Sequence, residues 1–301
     1  MRPQYSAIIL AGGDGRRLRS LTRAIAGDDR PKQFCPVLGD ETLLDQTRRR
    51  VSMVIPPDRT LTVVTRPHER YYASSLSGVP GALVVAQPEN RGTAPAILYA
   101  LLRLVALAPD EPVALFPSDH YLSDDRAFMW SVEAALETVA ARPSLTVLLG
   151  IAADRPEVAY GWIEPGDVVD GVPAPVYRVR RFWEKPRRDA AEQLFARGCL
   201  WNSFVIAAYP STLLALVQSA VPWLVDAFTP LRARLNTPWE AGAARALYAA
   251  LPSTDFSQAV LTPWPERLGV LPVTGVDWND LGDPGRVVAV RQRMDRRFAM
   301  A

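Results

Sequence analysis

Gly12, Gly13 and Gly15 stand directly after the apolar run Ala7–Ala11, and Arg17 follows two positions later. Three glycines within four positions, straight after a buried strand, let the backbone approach a ligand closely and point N–H groups at an anion. Arg17, and Lys32 further on, would neutralise a polyphosphate, so the stretch Leu10-Ala11-Gly12-Gly13-Asp14-Gly15 reads as a phosphate-binding turn. The plain alternative is a tight turn with no ligand. The spacing is neither G-x-G-x-x-G nor G-x-x-x-x-G-K-[ST], which disfavours a dinucleotide fold and a Walker loop.

Two carboxylates follow apolar runs. Asp119 comes after Val113–Phe116, and Asp280 after Val273–Trp278, read here as a strand. An aspartate after a strand is commonly a helix cap or turn residue, but Asp119 lies too early to cap the helix expected from Asp125. Two carboxylates with phosphate oxygens and waters suit Mg²⁺, which keeps few protein ligands. His68 and His120 are the only histidines, which excludes a histidine-rich zinc site; His120 is read as a neighbour of Asp119, not a metal ligand. Of the 34 cationic residues only Lys32 and Lys185 are lysine. A compact ammonium fits a tight site that a guanidinium fork does not. Lys185 could hold a phosphate and Glu184 accept from ligand hydroxyls, or the two form a surface ion pair. Trp201-Asn202 offers an aromatic face and an amide, although Trp201 could equally be core. Tyr160-Gly161 would bring backbone close to a ligand, or mark a strand bulge.

These residues need a frame. Strands are expected at Ala7–Ala11, Leu61–Thr65, Leu83–Gln87, Val113–Phe116 and Thr146–Ile151. Helices are expected at Thr42–Val51, Glu69–Leu76, from Thr93 (an N-cap, with Pro95 in the first turn) to Ala108, and Asp125–Ala140. Strands alternating with helices predict an α/β fold with a mixed, mainly parallel sheet flanked by helices. Ligands then bind beyond the carboxyl ends of the strands. The second half predicts strands Ala159–Ile163, Arg178–Glu184 and Trp201–Ala207, with a loop from Pro165 to Pro175. Helices follow at Ala190–Arg197, Ser211–Val221, Trp223–Leu235, Trp239–Leu251 and Gly285–Phe298.

Composition narrows the class. With 301 residues, 49% of them hydrophobic, the chain has ample core material. A net charge of +2 gives no sign of a nucleic-acid partner. The longest apolar stretch, Ala94 to Ala108, contains Arg103 and falls short of the ~20 residues of a membrane span. Two cysteines, Cys35 and Cys199, imply reduced thiols and a cytoplasmic protein.

Leu10–Leu18 with Pro31-Lys32-Gln33-Phe34 resembles the signature of the sugar-1-phosphate nucleotidyltransferases. The resemblance continues through Arg91-Gly92-Thr93-Ala94-Pro95-Ala96, Phe116-Pro117-Ser118-Asp119-His120, Tyr160-Gly161-Trp162-Ile163-Glu164 and Phe182-Trp183-Glu184-Lys185-Pro186. It ends at Trp201-Asn202-Ser203-Phe204 and Trp278-Asn279-Asp280-Leu281-Gly282, so it spans nearly the whole chain in order. The form is close to that of mannose-1-phosphate guanylyltransferases, although Gly92 stands where they usually show Asn.

The resemblance implies a Rossmann-like fold of the glycosyltransferase A type. It implies one domain over residues 1–301, with a nucleotide half to about residue 150 and a sugar-phosphate half beyond. A C-terminal β-helix or isomerase domain is expected to be absent. The implied substrates are GTP and mannose-1-phosphate, with Mg²⁺ on Asp119 and Asp280; a homo-oligomer is left open. Arg17, Lys32 and the metal would stabilise leaving pyrophosphate, and Lys185 would hold the attacking phosphate. Gly12 and Gly13, with Gln87 and Thr93, would border the base; Leu10, Ala11 and Gly15 complete the nucleotide side. Gly161, Glu184 and Asn202 would meet the sugar. The rival readings are a uridylyl-, thymidylyl- or adenylyltransferase acting on glucose-1-phosphate, and a regulatory homologue that binds nucleotide sugar without turnover.

Overall fold

The structure, a computed structural model, describes residues 4–107 and 111–298. The first half runs β1 (Ser6–Leu10), α1 (Arg19–Ala26), α2 (Leu43–Val51), β2 (Thr60–Thr65), α3 (Glu69–Tyr72), β3 (Val84–Gln87), α4 (Thr93–Leu107), β4 (Val113–Pro117), β5 (Tyr121–Leu122), α5 (Asp125–Ala141) and β6 (Thr146–Ala152). The second adds β7 (Gly161–Val168), β8 (Tyr177–Glu184), α6 (Arg188–Ala196), β9 (Leu200–Ala208), α7 (Pro210–Ala220), α8 (Pro222–Arg232), α9 (Glu240–Ala250), β10 (Leu268–Val273), β11 (Trp278–Asn279) and α10 (Pro284–Phe298).

A nine-stranded sheet has the order β3-β2-β1-β4-β9-β6-β10-β8-β7. β3, β2, β1, β4, β6 and β10 run one way, and β9 lies against β4 and β6 in the opposite sense. The β7–β8 hairpin then curls round so that Trp162 of β7 pairs with Trp201 of β9. This is the mixed, mainly parallel sheet that the alternation predicts. In β1 the pleat sends Ala7 and Ile9 into a core with α2 and α5, and Ile8 into a second core with α4 and α7–α9. Both faces of β1 are therefore covered, which is why it reads as an unbroken apolar run.

A separate two-stranded ribbon places the carboxylates. Trp278 of β11 pairs with Leu122 of β5, and Asn279 with Tyr121. The ribbon sets Asp119-His120 and Asp280 side by side although they lie far apart in sequence. Leu281 of this turn packs with Leu18, Val37, Val287 and Val290, so α10 and the segment after the glycine turn share a small core.

Several boundaries differ from expectation. The helix after Glu69 ends at Tyr72, because Ser75 is drawn to α2: its hydroxyl donates to Asp45 (2.9 Å) and its carbonyl accepts from Arg48. The expected loop at Pro165 is strand. β7 runs on to Val168, with register shifts at Glu164–Val168 that accommodate a proline unable to donate to the ladder. The expected strand Val273–Trp278 is broken: β10 stops at Val273, the chain turns at Gly275, and only Trp278-Asn279 pairs again. β10 and α1 carry no sequence expectation. The helix end expected at Ala108 lies outside the described residues. Among the described residues no helix is long and apolar enough to cross a membrane.

α2 starts one residue after the expected Thr42, which caps it instead. The hydroxyl of Thr42 accepts from the Asp45 N–H at 3.1 Å, capping the helix that holds Leu44 and Val51 against β1. Thr42→Ala is expected to lower stability by about 1 kcal/mol, measured by urea denaturation with an unchanged m-value.

Candidate active site

The carboxyl ends of β1 and β4 open on a cleft of about 430 Å³. Another cavity, of about 440 Å³, is lined by the buried Arg103–Glu240 ion pair and holds none of the candidate site residues.

Leu10, Gly12, Gly13 and Arg17 line the cleft from the glycine turn. The turn is held from behind. The amide of Gln33 donates to the carbonyls of Ala11 (3.1 Å) and Gly13 (2.7 Å), and the Thr65 hydroxyl donates to that of Gly12 (2.8 Å). Ala11 is buried at its base. Gly15 does not line the cleft: at φ +61° it packs so tightly that a Cβ would lie 2.8 Å from Pro31 Cα and 2.9 Å from Lys32 N. Arg17 is exposed at the rim.

Lys32 also lies outside the cleft lining. Its ammonium donates to the carbonyls of Asp280 and Leu281 (3.2 Å) and pairs with Asp119 at 3.3 Å. It therefore fastens the two carboxylate-bearing turns to the segment after the glycine loop. The second face of the nucleotide side comes from Gln87 and Thr93, both on the cleft. The Tyr248 hydroxyl donates to Gln87 Oε1 (3.1 Å). Thr93 is not an N-cap: it is the first helical residue, and its hydroxyl accepts from the Phe256 N–H at 2.7 Å.

Asp119 and Asp280 both face the cleft. Asp280 Oδ1 accepts from the Tyr160 hydroxyl (3.2 Å), the Gly282 N–H (2.9 Å) and Arg286 (2.6 Å). Burial alone would push the Asp280 carboxyl up. It is outweighed by His120 where that is charged and by Arg286 and Lys32, so Asp280 stays below the usual aspartate range. Burial brings His120 down to about 4, and its Nδ1 accepts from the Trp278 indole at 3.2 Å. It is thus a neutral packing partner near neutral pH. Among the described residues no group of three or more His, Cys, Asp or Glu side chains is spaced to hold a metal. The two aspartates form a small all-oxygen donor set of the kind Mg²⁺ accepts when phosphates and water complete the shell.

Across the cleft stand Gly161, Glu184, Lys185 and Asn202. A Cβ on Gly161 would lie 3.1 Å from Glu184 Oε2 and 3.3 Å from Asn202 Cβ, so this close approach seats both side chains. Burial raises the Glu184 carboxyl, opposed by the neighbouring Lys185 ammonium with which it pairs. Asn202 Oδ1 accepts from the Phe204 N–H at 3.1 Å within an irregular stretch of β9. Trp201 is a core residue: it is 2% exposed and packs edge-on against Tyr160 and Trp162. Three non-glycine residues with positive φ, Lys185 (46°), Phe204 (63°) and Leu281 (50°), lie in or beside this site. Such backbone strain concentrates where the surroundings over-determine a functional geometry.

Ser253, Asp255 and Ser257 also line the cleft, and no motif announced them. Thr254 accepts from the Ala94 N–H (3.0 Å) and donates its own N–H to the Arg91 carbonyl (2.9 Å), which lays the segment over the start of α4. Gly92 is required there. Its φ is +86°, and a Cβ would lie 2.4 Å from the Thr254 carbonyl oxygen.

A glycine turn after the first strand, a carboxylate after the fourth and a curled antiparallel extension define the nucleotidyltransferase type of α/β fold. The chain matches the nucleotidyl transferase family over residues 6–293 and belongs to it. It is similar to the alginate biosynthesis protein AlgA of Pseudomonas aeruginosa, 32% identical over 284 residues, covering 91% of this chain and 56% of that protein. To the mannose-1-phosphate guanylyltransferase of Sinorhizobium fredii it is 32% identical over 233 residues, 75% of this chain and 43% of that one. It thus spans about half the length of these relatives. The solved structure of a mannose-1-phosphate geranyltransferase from Thermus thermophilus matches at 30% identity with a TM-score of 0.79, over 93% of this chain and 76% of that one.

Proposed function

We propose that this protein transfers a nucleotidyl group from a nucleoside triphosphate to a hexose-1-phosphate, with GTP and mannose-1-phosphate as its pair. The supporting observation is that the glycine turn, both aspartates and the Glu184-Lys185-Asn202 group share one cleft. Each half of the reaction then has a wall of its own.

A phosphate oxygen of the sugar phosphate attacks the α-phosphorus, the bond to the β-phosphate breaks, and pyrophosphate leaves. Positioning and charge neutralisation do most of the work in such a transfer. The Gly12-Gly13 backbone and Arg17 receive the triphosphate, and Lys32 adds its charge from behind. Gln87 and Thr93 border the base. Lys185 holds the nucleophile's phosphate, and Glu184, Asn202 and the Gly161 backbone meet the sugar hydroxyls. Asp119 and Asp280 would hold Mg²⁺, which supplies charge neutralisation on the phosphates.

Base choice favours guanine because the Lys32-Gln33-Phe34 and Thr93-Ala94-Pro95-Ala96 segments resemble the guanylyltransferases, and because a relative of that name aligns over three quarters of the chain. The test is a matrix of four nucleoside triphosphates against mannose- and glucose-1-phosphate, read by pyrophosphate release. GTP with mannose-1-phosphate is expected to give the highest kcat/KM, and EDTA to abolish it. A preference for UTP or dTTP with glucose-1-phosphate would overturn the substrate pair and keep the reaction. No release with any pair, from folded nucleotide-binding protein, would favour the regulatory homologue.

A further inference from the structure

Arg286, near the start of α10, is spent on carboxylates. Its guanidinium lies 2.6 Å from Asp280 Oδ1, 2.9 Å from Glu157 Oε2 and 3.1 Å from Asp283 Oδ2, and its Cζ stands 4.6 Å from the centre of the Tyr160 ring. It is only 13% exposed and does not line the cleft, so it is not placed to touch a substrate. Its own position is fixed: Val287 and Val290 pack with Leu18 and Leu281, and Arg291 donates to the Val37 carbonyl at 2.9 Å.

The contacts on Asp280 are one-sided. Arg286, Tyr160 and the Gly282 N–H all converge on Oδ1, and among the described residues no hydrogen bond falls on Oδ2. Asp119 has a matching internal cation in Lys32, 3.3 Å from its Oδ2. Both carboxylates of the proposed metal site are therefore already partnered by side chains of the chain itself. A fixed positive charge at hydrogen-bond distance offsets much of the attraction a carboxylate offers to a dication. A triphosphate, bringing several negative charges, restores it.

We propose that Arg286 is a positioning residue that grips Asp280 by one oxygen and keeps a free divalent cation weakly bound until an anionic nucleotide accompanies it. The inference rests on the magnesium reading of Asp280 given above. It makes metal and nucleotide enter together, and it explains why a cation sits beside a metal-binding carboxylate.

The test uses Mn²⁺ in place of Mg²⁺, with free Mn²⁺ followed by electron paramagnetic resonance in the absence of nucleotide. Arg286→Met is expected to bind Mn²⁺ about tenfold more tightly than the wild type, or better. Its kcat is expected to fall by about tenfold, as when a ligand's supporting contact is lost. Arg286→Lys keeps the charge but cannot span three carboxylates. It should retain weak Mn²⁺ binding and still lose kcat. Unchanged or weaker Mn²⁺ binding in Arg286→Met would overturn the proposal, because a purely orienting partner gives that result. Should Arg286→Met fail to fold, Arg286→Lys decides alone: wild-type kcat, or tightened Mn²⁺ binding, overturns it. In Arg286→Met/Asp280→Asn the tight binding should vanish. If it persists, Asp280 is not the metal ligand, and the magnesium reading falls together with this inference.

Discussion

Asp119→Asn and Asp280→Asn are each expected to keep the fold and to lose turnover by a factor on the order of 10²–10³, the usual scale for removing one preorganised electrostatic stabiliser. The fold should survive because the amide has the size of the carboxylate and can keep an oxygen toward the present donors. At Asp280 those donors are the Tyr160 hydroxyl, the Gly282 N–H and Arg286. At Asp119 the Lys32 ammonium can still donate to the remaining carbonyl oxygen. What is lost is charge: a neutral amide is a poor ligand for Mg²⁺, which takes charged oxygen donors. Circular dichroism and nucleotide binding separate this from unfolding. Near-normal turnover of either variant at saturating Mg²⁺ would remove that residue from the proposed metal site. Because Asp280 is held below the usual aspartate range, its charge is complete throughout the neutral range. The defect of Asp280→Asn should therefore be as large at pH 6 as at pH 8.

Features that a local pattern carries were legible in the sequence. The run Ala7–Ala11 alternates between two cores along β1, and its apolar continuity reports burial on both faces. The three glycines and Arg17 follow directly, and the turn places Gly12, Gly13 and Arg17 on the cleft. Asp119 sits at a strand end, where an α/β sheet presents its ligands.

Positions that depend on contacts between distant segments were not legible in the sequence. Lys32 has the charge of a phosphate ligand, yet its ammonium is taken up by Asp119 and two carbonyls beside Asp280. Trp201 suits a sugar platform or a core equally by residue type, and the curl that pairs it with Trp162 decides for the core. Asp255 reaches the cleft only because Thr254 bridges to Arg91 and Ala94. Gly92 looked like a departure from a motif, and its cause is the Thr254 carbonyl that leaves no room for a side chain. The strand expected at Val273–Trp278 had the right residue types, and a turn at Gly275 split it.

Gly15→Ala is expected to cut kcat/KM by about 10²-fold, the scale on which misplacing a positioned group by an ångström acts. Two costs meet at this residue. Its φ of +61° is left-handed, and a Cβ would stand 2.8 Å from Pro31 Cα and 2.9 Å from Lys32 N, against backbone that cannot rotate away. The left-handed conformation alone costs a non-glycine residue roughly 1–2 kcal/mol. The turn must relieve the contact by moving away from Pro31, and the rest of the loop has little slack. Gln33 holds the carbonyls of Ala11 and Gly13, and Thr65 holds that of Gly12. Displacement therefore passes to Arg17, at the free end of the turn. The expected signature is a raised KM for the nucleoside triphosphate with a lowered kcat, while KM for the sugar phosphate changes little, because Lys185 follows β8 and Asn202 lies on β9. Gly242→Ala is the control: it lies in α9, where an added Cβ meets nothing within 4 Å, and activity should be unchanged. Full activity in Gly15→Ala, with an unaltered KM for the triphosphate, would mean that the packing of Gly15 on Pro31 does not set the phosphate-binding turn.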